Sequence, residues 1–465
     1  MESKKLKVES RATYIGKKGY TIRKSDLSED EISFLLSSLI VTPTLNSYVG
    51  TGSAESFPIY RETEFKYFVP KFFGTKYYGP ATLNNLLEGE PIHPDIYFNG
   101  ELREEQKKVI DVYMEHASQK NNGIGGGMLE IPCGEGKTVT ALKIFSIIRL
   151  KTIVVVHKEF LVNQWTERIR EFLPGTRIGK IQGTIIDIEN KDIVICMLQS
   201  LSMKSYDIKI FESFGLTIID EVHHISSQVF SRALFKIVTN FTLGLSATMN
   251  RKDGTTDVFK MFLGEIIYTG VRDVVHHVNI HVYSFKPPLG GEEFNEVITN
   301  FRGKIQFSSM ISKLCAYNPR SDFIIHILNK MLKENPSQQV MIIAHNRCLL
   351  NYFDARIKIM SLEISVGFYV GGMKKEDLKI SESRQVILAT YSMAAEALDI
   401  KTLTTLIMAT PKTDIEQAVG RILREKHSSP VVVDIVDPHS LFQNQFKKRK
   451  KFYDLNAYKI MRMKL

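Results

Sequence analysis

Short apolar runs alternate with longer amphipathic stretches along most of this chain. The first series of runs that predict strands lies between residues 100 and 275 and consists of Met128–Ile131, Ile153–Val156, Ile193–Met197, Leu216–Ile219 and Thr242–Leu245. The second follows residue 300 and consists of Val340–Ala344, Ser365–Tyr369, Val386–Thr390, Thr405–Met408 and Val431–Val436. Apolar strands that alternate with helical segments are typical of βαβ units in a parallel sheet covered on both faces. The pattern therefore predicts an α/β fold with two consecutive lobes.

The first 95 residues have a different pattern, in which short β-type runs alternate with Gly and Pro. One helix, Glu29–Leu39, is predicted there, with Ser28 at its start. The stretch 66–78 mixes lysines with aromatic residues. This composition suits stacking on bases with phosphate contact, but core strands with exposed lysines look the same. We predict a small N-terminal α+β domain at 1–95, a lobe at 96–275 and a second lobe at 276–465, with 276–320 as a connector leading into the first helices of the second sheet.

Composition limits the classes of protein that this chain can represent. With 465 residues the chain is too long for a single hydrophobic core, so several domains are expected. A composition of 43% apolar and 24% charged residues is typical of globular proteins. The chain contains no run of eighteen apolar residues, so no membrane span is predicted. The N-terminus lacks the apolar core of a signal peptide. The scattered cysteines indicate reduced thiols in an intracellular protein rather than a zinc site. A net charge of +10 favours a nucleic-acid partner, although a merely basic surface is the alternative.

The segment after Met128–Ile131 carries the most specific motif: Pro132, Cys133, Gly134, Glu135, Gly136, Lys137 and Thr138. A strand, a Gly-rich turn and a helix form a loop whose backbone N–H groups cradle phosphate oxygens. Lys137 would contact the β- and γ-phosphates of ATP, and the Thr138 hydroxyl would bind Mg²⁺. Ile131 stands where the commonest form of this loop has its first Gly. The alternative is an ordinary Gly-rich turn.

Two adjacent carboxylates, Asp220 and Glu221, follow the strand Leu216–Ile219. Because ligands bind at the carboxyl ends of parallel strands, Asp220 can hold Mg²⁺ directly or through water, and Glu221 can orient and deprotonate the attacking water. We expect His223 to link this segment to Ser246-Ala247-Thr248, which follows the next strand and could couple the state of ATP to lobe movement.

A second group of candidate residues lies far along the chain. Gln417, Arg421 and Arg424 are spaced so that they share one face of a helix, as a sensor of the γ-phosphate would require. A solvated helix face is the alternative. Upstream of the phosphate loop, Arg103 and Gln106 belong to a Leu-Arg-x-x-Gln segment, and a Gln amide can pair with the adenine edge.

In this order, these motifs resemble those of superfamily 2 helicases of the DEAD/H type. Further segments are similar to those of the XPB-like and UvsW-like group, namely Val155–Trp165, Ile181–Gly183 followed by Met197–Leu201, and Asn250–Gly254. The chain also resembles helicases of large nucleocytoplasmic DNA viruses. The resemblance covers about 95 to 450 strongly and implies two RecA-like lobes with ATP bound between them. It places Asp399 at the ATP ribose or near the arginines. It also implies nucleic-acid contacts at His157, Lys158, Gln164, Gln182, Gly183, Gln199, Ser200, His345, Gly371, Gly372, Thr390 and Ser392.

The resemblance implies a monomeric ATP-dependent helicase or translocase, with DNA favoured over RNA, that works with transcription or repair machinery in infected-cell cytoplasm or a virion. The alternatives are a remodeller of protein–DNA complexes that does not separate strands, an RNA helicase, the motor of a restriction system and a non-catalytic scaffold. The five consecutive cations Lys447–Lys451 repel one another and favour a solvated or phosphate-bound state. The run predicts either nucleic-acid contact or a nuclear-import signal.

Overall fold

The protein is described from a computed structural model. It describes residues 12–43, 55–118, 125–132, 134–222, 227–249, 254–270, 278–361, 363–396, 400, 402–413, 415, 419 and 430–465. The chain divides into two compact units, Met1–Val271 and Arg272–Leu465. Among the described residues, no helix is long and apolar enough to cross a membrane.

The N-terminal part of the first unit is a small α+β arrangement. Its elements are β1 (Tyr14–Gly16), β2 (Gly19–Arg23), α1 (Glu29–Leu39), β3 (Ile40–Val41), β4 (Phe57–Pro58), β5 (Arg61–Glu62), β6 (Lys66–Val69), α2 (Lys71–Tyr78) and β7 (Leu83–Asn84). Five of these strands form a sheet in the order β5-β6-β2-β1-β7. Helix α1 has the predicted bounds because Ser28 and Glu31 form a reciprocal capping box at its first turn.

The main sheet of the first unit has eight strands. Its elements are α3 (Glu104–Ser118), β8 (Gly125–Glu130), α4 (Lys137–Ile148), β9 (Thr152–Val156), α5 (Glu159–Phe172), β10 (Ile178–Gln182), β11 (Ile185–Asp187), β12 (Ile193–Met197), α6 (Leu198–Met203), β13 (Leu216–Ile219), α7 (Ser227–Leu234), β14 (Phe241–Ser246), α8 (Thr256–Leu263) and β15 (Ile266–Thr269). The strand order is β11-β10-β12-β9-β13-β14-β8-β15. Every pair of neighbours is parallel except β10 with β11. Parallel pairing brings the carboxyl ends of these strands to one edge, where ligands of such sheets bind.

Aromatic residues of the N-terminal part belong to a core that continues into the main sheet, where Ile15 and Tyr20 share a cluster with Met128 and Ile153. Tyr67 and Phe68 are only 6% and 7% exposed, and Phe73 and Tyr78 are also buried. Lysines lie over some of these rings, with Lys24 Nζ 4.7 Å from the Tyr67 centroid. The prediction that aromatic residues of this stretch stack on bases is therefore wrong for these four rings, because a buried ring face cannot contact a base.

The second unit contains an all-parallel sheet of seven strands in the order β18-β19-β17-β20-β21-β16-β22. Its elements are β16 (Asn279–Ser284), α9 (Phe307–Ala316), α10 (Asn318–Glu334), β17 (Gln339–Ala344), α11 (Arg347–Met360), β18 (Val366–Tyr369), α12 (Lys375–Glu382), β19 (Val386–Thr390), α13 (Tyr391–Glu396), β20 (Leu403–Met408), β21 (Val431–Val436), α14 (Ser440–Leu455) and β22 (Lys459–Met463). The prediction of a connector at 276–320 is wrong at its start, because β16 is an interior strand of this sheet.

The basic run Lys447–Lys451 lies on α14. Four of its lysines are exposed, but Arg449 is 1% exposed and forms a bidentate ion pair with Asp434 of β21, with both N–O distances 2.8 Å. The prediction that all five cations are solvated or bound to phosphate is therefore wrong for Arg449. Helical periodicity turns one residue of such a run toward the sheet, and Asp434 neutralises its charge there.

Candidate nucleotide site and nucleic-acid face

The predicted phosphate loop lies between the carboxyl end of β8 and the first residue of α4, Lys137. Gly134 and Gly136 have φ values of +88° and +83°, a region that residues with a Cβ rarely adopt. A Cβ on Gly136 would also lie 2.2 Å from Nε2 of Gln106, whereas a Cβ on Gly134 would meet nothing within 4 Å. The loop therefore packs on the protein at Gly136 and is open at Gly134.

Arg103 and Gln106 support this loop in the structure. The Arg103 backbone N–H donates to Gln106 Oε1 at 2.9 Å, and Gln106 Nε2 donates to the Glu135 carbonyl at 3.4 Å. The Arg103 guanidinium lies 3.3 Å from the Glu135 carboxylate. Both ends of the buried Gln106 amide bond to the chain itself, and each retains hydrogen-bonding capacity, so pairing with adenine stays a prediction.

Asp220 directly follows β13 and is 5% exposed. Its Oδ2 accepts a 2.8 Å hydrogen bond from the indole N–H of Trp165 on α5, and its Oδ1 accepts one of 2.9 Å from the Glu221 backbone. Burial, together with the neighbouring Glu221 carboxylate, raises the pKa of Asp220 above its usual range. The buried Asp220 carboxylate therefore binds a proton more readily than an exposed aspartate does.

Glu221 has a φ of +50°, a left-handed conformation that is unfavourable for a residue with a Cβ. This backbone turn brings its Oε1 to 3.3 Å from Nζ of Lys137, and both side chains are largely buried. The phosphate loop and the acidic pair, which the sequence places far apart, thus meet in one site.

The residues of this site fit a nucleotide with magnesium. The glycines leave the loop open at Gly134, and α4 begins there with its N–H groups facing the loop. A hydroxyl from Thr138 and a carboxylate from Asp220 are the hard oxygen ligands that Mg²⁺ takes.

A second set of predicted residues lies farther along the same edge of the sheet. Gln199, just after β12, donates to the carbonyl of His157, just after β9, at 2.7 Å. Gly183, just after β10, donates its backbone N–H to Ser200 Oγ at 2.8 Å. Three neighbouring strand ends are thereby joined by side chains from the set predicted to contact nucleic acid.

The other members of this set occupy the same neighbourhood. Lys158 stands immediately before α5, Gln164 lies partly buried on that helix, and Gln182 ends β10. Tyr206, which the sequence analysis did not select, donates its hydroxyl to the Gly183 carbonyl at 3.0 Å. Nothing in the local pattern around Tyr206 marks this role. Trp165 could have been recognised, because a buried indole N–H requires an acceptor.

The second unit assembles a comparable cluster at the carboxyl ends of β19, β17 and β20. His345, after β17, contacts Thr410 through its backbone N–H at 3.0 Å and its Nδ1 at 2.7 Å. Thr390 and Ser392 have hydroxyl oxygens 3.3 Å apart. Gly371 and Gly372 lie on an exposed turn after β18, and a Cβ on either would meet nothing within 4 Å. Both a tight turn and backbone contact with a strand are compatible with this turn.

Several predicted residues lie outside the described residues, namely Cys133, His223, Asp399, Gln417, Arg421 and Arg424. Their roles stay predictions.

The fold and the first-unit site define a P-loop nucleotide-hydrolysing protein with RecA-like α/β lobes. Residues 99–251 match the family described as "Type III restriction enzyme, res subunit". A protein of Acanthamoeba polyphaga mimivirus, named "Putative ATP-dependent RNA helicase", is 31% identical over 459 residues, covering 97% of this chain and 86% of that protein.

Two further relatives are more distant. A protein of Invertebrate iridescent virus 6, named "Putative helicase", is 25% identical over 383 residues, covering 77% of this chain and 81% of that protein. A protein of Sulfurisphaera tokodaii, named "DNA 3'-5' translocase", is 25% identical over 390 residues, covering 76% of this chain and 85% of that protein. The chain belongs to the superfamily 2 helicases, and it is an ATP-dependent helicase that binds nucleic acid. The resemblance, the α/β fold class and the enzyme class predicted from the sequence are thereby confirmed.

Proposed function

We propose that this helicase is a DNA-stimulated, Mg²⁺-dependent ATPase that moves along a strand as a monomer. The observation that carries the proposal is the shared edge of the first sheet. The phosphate loop and Asp220 lie at its β8 and β13 ends, while His157, Gln199 and Gly183 lie at the neighbouring β9, β12 and β10 ends. A bound strand could therefore influence the geometry of hydrolysis over the width of a few strands.

Each side chain of the site has a distinct task in this proposal. Lys137 binds the terminal phosphates, and the open loop at Gly134 donates backbone N–H groups to phosphate oxygens. Mg²⁺, held by Thr138 and Asp220, would neutralise charge on the phosphates. Glu221 takes a proton from the attacking water.

The ion pair between Lys137 and Glu221 adds a condition to this scheme. At 3.3 Å each side chain neutralises the other, so Glu221 is a weak base while the pair persists. A triphosphate competes for Lys137 because it carries more negative charge than one carboxylate. Nucleotide binding would therefore release Glu221 to act on water.

A direct test measures phosphate release by the full chain with no polymer, single-stranded DNA, duplex, forked DNA and RNA. We expect the strongest stimulation with single-stranded or forked DNA. Glu221→Gln should retain ATP binding and lose turnover. Unchanged turnover in Glu221→Gln would exclude this side chain as the base, and equal rates with and without every polymer would refute coupling to nucleic acid.

Action on RNA is the second candidate, which the name of the mimivirus relative favours. The name of the Sulfurisphaera tokodaii relative favours movement on DNA. Remodelling of transcription or repair complexes without strand separation is a variant of the first proposal, and strand displacement distinguishes the two. The viral relatives favour a role in the infected-cell cytoplasm or a virion.

A further inference from the structure

A compact polar cluster forms where three neighbouring strands of the second sheet end. His345 follows β17, Thr390 and Ser392 mark the end of β19, and Thr410 follows β20. The ring of Tyr391 lies at its centre: its hydroxyl bonds to the Thr410 carbonyl, and its centroid is 4.8 Å from that of His345. These contacts hold the Tyr391 and His345 rings in place.

Lys412 places a positive charge over the Tyr391 ring. Its Nζ is 4.8 Å from the centroid of the Tyr391 ring, and the side chain is partly exposed. Tyr391 stands between Thr390 and Ser392 in the chain, so the ammonium group contacts the ring of the residue that links the two hydroxyl-bearing residues. A cation over an aromatic face is attracted to it, which restricts the directions that a long lysine side chain can take.

The backbone of Lys412 is held by a buried side chain. Its carbonyl accepts a 2.9 Å hydrogen bond from Nη1 of Arg449, the buried member of the basic run. Arg449 is itself held by the bidentate pair with Asp434, and the Tyr453 hydroxyl donates to the same carboxylate at 2.8 Å. Asp434 therefore neutralises Arg449, which in turn holds the backbone carbonyl of Lys412.

His345 does not supply positive charge to this cluster at neutral pH. Burial, together with the Lys412 cation, lowers the pKa of His345 to about 4. The described residues of the cluster therefore offer one cation and two hydroxyls on the surface. One cation with adjacent hydroxyl donors matches the charge and hydrogen-bonding capacity of a phosphodiester.

We propose that Lys412 binds a phosphodiester group of the nucleic-acid strand, together with the Thr390 and Ser392 hydroxyls. The proposal rests on the proposed function, because it adds a strand contact that the motifs do not include. It assigns a distinct task to each of two cations: Lys412 contacts the strand, and Arg449 positions the backbone that carries Lys412.

The test compares the full-length wild type with Lys412→Gln, Lys412→Arg and the control Lys333→Gln. Lys333 is exposed in the last turn of α10, a helix that leads into the amino end of β17, at the opposite edge of the sheet. Affinity for fluorescent single-stranded DNA and RNA of equal sequence is measured by anisotropy at several salt concentrations. Thermal unfolding of each variant checks that the fold persists.

Loss of one phosphate contact should weaken binding of Lys412→Gln roughly fivefold and reduce the slope of log affinity against log salt by about 0.7. DNA and RNA should be affected equally, since both carry the phosphodiester. Lys412→Arg and Lys333→Gln should bind like the wild type. The inference is overturned if Lys412→Gln keeps the wild-type affinity and salt slope, or if only RNA binding weakens. A wild type that binds neither polymer would instead refute the proposed function.

Discussion

Strand β13 of the first unit and strand β21 of the second both carry aspartates at or near their carboxyl ends, but they surround them differently. Asp220 receives one indole N–H and one backbone N–H, with another carboxylate beside it. Asp437, just after β21, is 0% exposed and forms a bidentate pair with Arg320, with Arg320 Nη2 2.8 Å from Asp437 Oδ2. Asp220 is thus held by two uncharged donors, whereas Asp437 is neutralised by a guanidinium.

The difference separates a proposed metal-binding carboxylate from a structural ion pair. A buried carboxylate with too few donors can gain a metal ion, whereas one saturated by a guanidinium has no capacity left for a ligand. Arg320 also donates to the Ala409 carbonyl at 2.7 Å, so its pair with Asp437 joins β20 to the segment after β21. An aspartate that follows a strand is thus proposed to serve hydrolysis in the first unit, whereas in the second unit it forms an ion pair that stabilises the fold.

Asp220→Asn tests the first half of this comparison and should have the largest effect. Removing the charge should lower ATP turnover roughly 10²- to 10³-fold, since stabilisation of the phosphates depends on it. Stability should change little, because the Asn side chain no longer repels Glu221 but its amide oxygen can accept from only one of the two donors, Trp165 and the Glu221 backbone N–H. Steady-state phosphate release and chemical denaturation measure the two effects. A large loss of stability without loss of turnover would mean that Asp220 has a structural role rather than a catalytic one.

Asp437→Asn tests the second half. It leaves the Arg320 guanidinium buried without its countercharge, which should cost about 3–5 kcal/mol of unfolding free energy. Chemical denaturation monitored in the second unit measures this loss. The matched control replaces Asp437 and Arg320 together with leucine and should be less destabilised than the single variant. A single variant as stable as the wild type would show that the pair contributes little.

Much of the fold followed from the sequence because its signals are local. Strands β12, β13, β19 and β21 and helix α1 have the predicted bounds, since continuous apolar runs and the Ser28 cap define them. The phosphate loop and the acidic pair were found for the same reason. Each is a short motif at a strand end.

Long-range pairing explains what the sequence did not reveal. Strand β16 alternates polar and apolar residues, and its neighbours β21 and β22 lie far along the chain. Arg449 looked like one of five solvated cations because its partner Asp434 is on another element. Asp434 itself was a usable signal, because an acid inside an apolar strand requires a countercharge.

Lys71 extends the comparison to a buried cation that is held by uncharged groups: its Nζ donates to the backbone carbonyls of Thr239 and Asn240 at 2.8 and 3.2 Å. Burial lowers its pKa from 10.5 to about 7. The folded state therefore loses this proton before the unfolded state does. The destabilisation by the charged form is fully present below pH 7 and is relieved as pH rises toward 10.5.

From pH 7 to pH 9 the wild type should gain about 2 kcal/mol of stability relative to Lys71→Met, which has no amine to titrate. Denaturation of both proteins at several pH values measures the difference, and Lys333→Gln serves as a control that should track the wild type. Parallel pH profiles for wild type and Lys71→Met would show that Lys71 titrates normally.

Trp165→Phe makes the smallest expected change and bears on how Asp220 is kept ready for a ligand. The substitution keeps an aromatic ring in the core but removes the 2.8 Å indole donor, so the carboxylate can rotate away from its present orientation. Loss of a hydrogen bond that orients a metal ligand typically weakens metal binding about 10- to 100-fold. We expect a value near the lower limit, because the Glu221 backbone N–H still holds Oδ1.

The Mg²⁺ concentration for half-maximal ATP hydrolysis by Trp165→Phe should therefore rise about tenfold, with a smaller change in the maximal rate. Titration of Mg²⁺ at saturating ATP measures both quantities. A lower maximal rate at an unchanged Mg²⁺ requirement would mean that the indole supports the fold around β13 rather than the orientation of the carboxylate.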